Sequence, residues 1–208
     1  YIHVPFCSKL CPYCGFYKLK WDAQKERQYA KALMAEIQFY GRQFGPLSLH
    51  SIFWGGGTPN LLRSEVVDQT MASIRDAFCV LPDCEVTMEM NPGIHSPGKL
   101  ARLKNAGINR VSLGAQSFID SELQFLGRNH TVHSTISTIA ALQSVGMDAI
   151  SLDFIYGLPQ STTDTVSESL DKMVSYSPQH ISTYGLSIEP NTPFKRQQQL
   201  IATSDDSY

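Results

Sequence analysis

Charge is sparse in this chain and nearly balanced: of 208 residues 17% are Asp, Glu, Lys or Arg, with 17 basic against 19 acidic side chains and a formal net charge of −2. No cationic stripe is present, so phosphate-backbone affinity is disfavoured and nucleic acid is not expected as a partner. Long apolar runs are missing too. Long stretches without Asp, Glu, Lys or Arg, such as residues 129–147, are broken throughout by His, Ser, Thr and Gln, which argues against an integral membrane segment and for a soluble protein. Neither a signal peptide nor a low-complexity tract is found, and the chain opens on Tyr1 inside a strand-like run, which reads as an excised fragment. Cysteine is scarce and odd in number: three of the five, Cys7, Cys11 and Cys14, crowd into eight positions. That crowding suits a metal better than a disulfide framework and points to a reducing, cytoplasmic compartment.

What is present is a regular alternation, within a composition 42% hydrophobic and long enough to bury one core. The pattern predicts strands at 1–6, 51–54, 85–91, 110–116, 149–155 and 180–188, separated by helical stretches, as in a parallel sheet of βα units. The clearest helix runs from the N-cap Asp22 to Gly45, with Tyr29, Leu33, Ile37, Tyr40 and Phe44 on one stripe. Further helices are predicted at 64–78, 97–106, 133–145 and 164–176. After the last strand the tail, 195–208, is polar and shows no helix to close the unit, so more chain is expected to follow.

The faces of these strands differ. Val86, Met88 and Met90 share one face while Thr87, Glu89 and Asn91 share the other; Val111, Leu113 and Ala115 oppose Ser112, Gly114 and Gln116; Ile150, Leu152 and Phe154 oppose Ser151 and Asp153. One apolar face covered by helices and one polar face carrying Glu89, Gln116 and Asp153 near the strand ends is what a barrel with a hydrophilic mouth requires. A doubly wound sheet would show continuous apolar runs.

Cys7, Cys11 and Cys14 form C-x3-C-x2-C in the loop after the first strand, where thiolates can converge on one metal centre. A structural zinc would want a fourth ligand, such as His3 or a distant Cys, and a ferredoxin-type [4Fe–4S] site a fourth cysteine. Cys79 and Cys84 are expected to be structural thiols. With three ligands, one iron of a cubane stays open. Gly55, Gly56, Gly57, Thr58 and Pro59 close the second strand, as either a tight βα turn or a backbone cradle for a ligand. His130 and His133 read as a solvated helix face rather than a metal site, and Phe53 and Trp54 as barrel packing.

The run from Cys7 to Cys14, with Tyr13 just before the last cysteine, resembles the signature of the radical S-adenosylmethionine superfamily, and the glycine run resembles that family's segment for the methionine amino group. The resemblance implies a partial (β/α)6 barrel of α/β class, with residues 1–208 as a truncated core domain. It also implies a [4Fe–4S] cluster on Cys7, Cys11 and Cys14 whose open iron is chelated by S-adenosylmethionine, and an electron donor for that cluster. One electron then cleaves the sulfonium to give a 5'-deoxyadenosyl radical. By the same resemblance Tyr1, Tyr13, Gly57, Thr58, Glu89, Gln116, Arg128, Asp153 and Ser187 contact that cofactor. Chemically, Glu89 and Asp153 suit ribose hydroxyls, Gln116 can donate and accept, and Arg128 suits a carboxylate.

The segments Tyr1 to Cys7 and Asp153 to Pro159 resemble the branch holding the HemW-type heme chaperones and the oxygen-independent coproporphyrinogen III dehydrogenases, and Ser187 to Phe194 resembles the HemW type in particular. The dehydrogenase pattern places a fourth cysteine two residues beyond the third, where this chain has Phe16. The resemblance therefore favours a chaperone that binds heme and passes it to an acceptor protein, over radical decarboxylation in porphyrin biosynthesis. Heme ligands are expected outside this chain.

Overall fold

The computed structural model describes residues 1–93 and 96–197, except the side chain of Pro97. Its centre is a parallel sheet of six strands in the order β1 (Ile2–Val4), β4 (Ser48–Gly56), β5 (Cys79–Met90), β6 (Arg110–Gln116), β7 (Ile150–Tyr156) and β8 (His180–Gly185). A two-stranded ribbon, β2 (Phe6–Cys7) with β3 (Leu19–Lys20), flanks it. Neighbours in space are neighbours in sequence, and among the described residues β1 and β8 are not paired with each other. This is an open, partial (β/α)6 barrel with its helices on the outer face.

The expected alternation sets the two faces. Val86, Met88, Val111, Leu113, Ala115, Leu152 and Phe154 are buried in one core together with side chains of the helices α2 (Ser64–Ala77), α3 (Pro97–Ala106), α5 (Val132–Ser144) and α6 (Thr163–Ser175). Trp54 is wholly buried there, as packing predicted, while Phe53 stacks on Tyr1 with ring centroids 6.1 Å apart.

Boundaries differ from the sequence reading for local reasons. Pro5 has no N–H to give a ladder, and the predicted first strand divides there into β1 and β2. β5 begins six residues early, because Cys79 and Val80 pair with Ser48 and Leu49 before a register shift takes up the Pro82 segment. β8 stops at Gly185, short of the predicted 188. A short helix α4 (Asp120–Phe125) and a last turn α7 (Pro193–Arg196) were not anticipated. Most of the polar tail, from 198 on, lies outside the described residues.

The long helix α1 (Ala23–Phe44) starts on the expected cap: Asp22 accepts from the N–H groups of Gln24 and Lys25 at 2.9 Å. Its buried face is Glu26, Ala30 and Ile37, not the whole aromatic stripe; Tyr40 and Phe44 are exposed at 43% and 59% because the last turn runs past the core. Glu26, fully buried, accepts at one oxygen from Trp21 Nε1 (3.0 Å) and at the other from the backbone N–H (2.9 Å) and Nε (3.3 Å) of Arg63. It thereby ties the return of the cysteine loop to the turn after the glycine run. Glu26→Gln must face one of those donors with an NH2 group, and is expected to lower stability by about 2 kcal/mol, read as a shift in the urea midpoint.

Candidate functional site

The cysteines sit where β2 ends and the chain loops back into β3. This loop is held from several sides. Trp21 N–H donates to Cys7 O (2.9 Å), Cys14 N–H to Cys11 O (3.3 Å), and Asn129 Nδ2 to Ser8 Oγ (3.2 Å). Lys18 Nζ donates to the carbonyl of Cys14, and Phe194 N–H to that of Pro12 at 3.2 Å. Cys7 is buried and Cys11 and Cys14 half-buried, whereas Cys79 is exposed and Cys84 buried, both away in β5. Burial pushes the Cys7 thiol up, against a hydrogen bond from Thr58 and the charge of Lys18.

The glycine run comes in beneath this loop. Gly57 and Thr58 donate their N–H groups to Val4 O and Phe6 O, both at 2.7 Å. A Cβ on Gly57 would meet Phe6 O at 2.7 Å, Val4 O at 2.9 Å and Cys7 Sγ at 3.1 Å, so no larger residue fits that close approach. Gly56 directs its N–H to Glu89 Oε2 at 2.9 Å. Glu89 is thereby anchored at one oxygen.

A cavity of about 510 Å³ opens beside Cys14 at the C-terminal ends of the strands. Seven of the expected cofactor residues line it: Tyr13, Gly57, Glu89, Gln116, Arg128, Asp153 and Ser187. Two stand outside the lining. Tyr1 is 77% exposed over Gly55, its hydroxyl 3.1 Å from His3 Nδ1, and Thr58 is buried behind the wall, accepting from Asn91 Nδ2 at 3.0 Å. Asn91, Ser112, Tyr184, Leu186 and Glu189 also line the cavity without having been picked out as site residues. Asn91 and Ser112 lie on the polar face by alternation, and that signal could have found them. Glu189, held by Ser187 Oγ at 2.7 Å, follows the last strand in an irregular segment and left no such trace.

Burial raises the carboxyl of Glu89, against the Gly56 N–H, and also that of Asp153, against hydrogen bonds from Ser112 and Ser182. Burial likewise pushes the Tyr13 phenol up to about 12, keeping it a donor. Arg128 spreads over the roof: Nη1 reaches Cys11 Sγ (3.6 Å) and Tyr13 Oη (3.4 Å), and Nη2 donates to Asn91 Oδ1 (2.5 Å) and Gly114 O (3.2 Å). Its Nε is buried with no hydrogen-bond partner among the described residues. A carboxylate ligand would satisfy that donor. Among the described residues no three His, Cys, Asp or Glu side chains converge to hold a single metal ion, as a tetrahedral zinc would need; a cluster of several irons takes each thiolate on a different metal. The solvated face expected for the histidines holds for His133 alone: His130 is buried, with Nε2 3.2 Å from Ala115 O. No helix of the described residues is long and apolar enough to cross a membrane.

The sequence profile of the Radical SAM superfamily matches residues 1–173. The heme chaperone HemW of Haemophilus influenzae is 37% identical over 202 residues, covering 93% of this chain and 52% of that protein. The mitochondrial radical S-adenosyl methionine domain-containing protein 1 of Bos taurus is 35% identical over 199 residues, covering 96% and 45%. The solved structure of the coproporphyrinogen III oxidase HemN from Escherichia coli, a radical SAM enzyme, superposes with a TM-score of 0.86 at 28% identity, over 99% of this chain and 47% of HemN. The chain thus spans about half the length of the proteins it matches.

Proposed function

Because the chain belongs to the radical S-adenosylmethionine superfamily, we propose that residues 1–208 are the cluster- and cofactor-binding core of a heme chaperone of the HemW kind. In this reading Cys7, Cys11 and Cys14 hold a [4Fe–4S] cluster, and S-adenosylmethionine occupies the adjoining cavity. The protein carries heme to an acceptor protein in the cytoplasm, with its cluster fed by an electron donor. When bound, the reduced cluster and its cofactor supply one-electron cleavage of a sulfonium. The chain's own residues bind and orient. Arg128 offers its unpartnered Nε to the cofactor's carboxylate, and the backbone around Gly57 receives the amino end. Glu89 and Asp153 accept from ribose hydroxyls, and Gln116 can donate or accept toward the same ligand.

The observation that carries this reading is the single cavity joining Cys14 to an unsatisfied guanidinium and two inward carboxylates. A second reading, oxygen-independent coproporphyrinogen III dehydrogenation, is favoured by the likeness to HemN. Phe16 argues against it. The side chain that stands two residues beyond Cys14 is 70% exposed on the cavity rim and offers no thiol.

The test is anaerobic reconstitution with iron and sulfide, reduction, and EPR with and without S-adenosylmethionine. A [4Fe–4S]+ signal that shifts on adding the cofactor is the expected result; a folded chain that takes up no iron would overturn the reading. In the full-length protein a heme titration should develop a Soret band. Turnover of coproporphyrinogen III to protoporphyrinogen IX, with methionine and 5'-deoxyadenosine released, would replace the chaperone reading by the second.

A further inference from the structure

Strand β6 leaves its regular register just before it reaches the cavity. Leu113 pairs with Leu152, but the next pair is Gln116 with Phe154, so three steps along β6 are matched by two along β7. That is a bulge. It ends on Gln116, whose φ of 66° lies in the left-handed region that a non-glycine residue enters only when the surroundings impose it. The bulge folds the Gln116 side chain back over Gly114: a Cβ on Gly114 would lie 2.9 Å from Gln116 Nε2 and 3.3 Å from both Arg128 Nη2 and Asn91 Oδ1. Three polar groups lining the cavity are therefore gathered over one bulge.

Two consecutive carbonyls of the bulge are held from outside the sheet. Arg128 Nη2 donates to Gly114 O at 3.2 Å, and His130 Nε2 meets Ala115 O at 3.2 Å. A carbonyl accepts only, so the ring must carry its proton on Nε2. The other nitrogen, Nδ1, is buried with no hydrogen-bond partner among the described residues. The imidazole thus spends its hydrogen bonding on one backbone atom and leaves a buried lone pair unsatisfied, a poor choice for stability alone. Burial, with Arg128 nearby, lowers its pKa to about 4, which keeps the ring neutral and the tautomer fixed at neutral pH.

We propose that His130 is a positioning residue: by holding Ala115 O it latches the β6 bulge and so fixes where Gln116 meets the ligand of the cavity. This rests on the reading of that cavity as the S-adenosylmethionine site. Arg128 and His130, two positions apart, act on adjacent peptides as a clamp, one from the cavity side and one from the core.

The experiment compares wild type with His130→Leu, His130→Gln and His130→Asn in the reconstituted protein. A glutamine amide nitrogen reaches about as far as imidazole Nε2, whereas that of asparagine stops near the position of Nδ1. Cofactor affinity, by anaerobic calorimetry, should fall about tenfold in the Leu and Asn variants, with iron content unchanged. His130→Gln should come back to within about threefold of wild type. Without cofactor, hydrogen exchange at the backbone N–H groups of Gln116 and Ser117 should quicken in Leu and Asn but not in Gln. In a double-mutant cycle with Gln116→Ala, the two losses should be less than additive. Wild-type affinity in His130→Asn, or full additivity, overturns the proposal. Should His130→Leu fail to fold, the contrast between Gln and Asn decides alone. If wild type itself binds no S-adenosylmethionine, the reading of the cavity fails, while the exchange pattern still reports on the latch.

Discussion

A Cys11→Ala chain, reconstituted under the same anaerobic conditions, is expected to show no [4Fe–4S]+ EPR signal and to drop from about four irons per chain to below about one. The reason is ligand number. Three thiols are available in the loop, and Cys79 and Cys84 lie in the first half of β5, away from the end that brings Glu89 to the cavity. Cys11 is also the sulfur that Arg128 Nη1 faces at 3.6 Å. The loop should survive the change, because its shape comes from backbone bonds such as Trp21 N–H to Cys7 O and from the Lys18 ammonium on Cys14 O. Thermal stability before reconstitution should therefore move little. Cys79→Ser, at an exposed position, should keep the full signal. A retained signal in Cys11→Ala would mean that the cluster is bound elsewhere.

The polar residues of the cavity were legible to the extent that one local rule placed them. Glu89, Gln116 and Asp153 lie on strands with one face against helices, and two-residue alternation assigns such faces without any knowledge of the fold. The cysteines were legible because three ligands lie within eight residues. What could not be read depends on contacts between distant segments. His130 looks like a surface residue of a helix start, yet it is buried, with Nε2 against Ala115 O of the β6 bulge 15 positions away. Nor does a bulge follow from alternation, which continues through Ala115 and Gln116 as though the strand were regular. Tyr40 and Phe44 fit a helical stripe perfectly well, yet the stripe carries no information about where the core beneath it ends. Thr58 belongs to the glycine run, but its hydroxyl faces Asn91 behind the wall, a pairing across 33 positions.

Arg128→Met should cost more affinity than any other single change in the cavity wall. The side chain arrives from the segment after α4 and is largely buried, and among the described residues no carboxylate forms an ion pair with it. A buried cation in that situation is tolerable only if its donors are used. Four contacts occupy Nη1 and Nη2, and Nε alone is left over. A ligand carboxylate at Nε would complete the set and supply the missing negative charge. Methionine keeps the apolar stem out to about the position of Nε and removes both the donors and the positive charge, so S-adenosylmethionine binding should weaken about 100-fold. Iron content and the cluster's EPR signal without cofactor should persist, since the cysteines are untouched. Arg128→Lys keeps the charge but not the planar fork, and should recover part of the loss, leaving affinity about tenfold below wild type. Because Asn91 Oδ1 and Gly114 O lose a donor in the methionine variant, some destabilisation accompanies the change. The lysine variant separates that effect from the electrostatic one. A methionine variant with an intact cluster that still binds within about threefold of wild type would mean that the cofactor's carboxylate lies elsewhere.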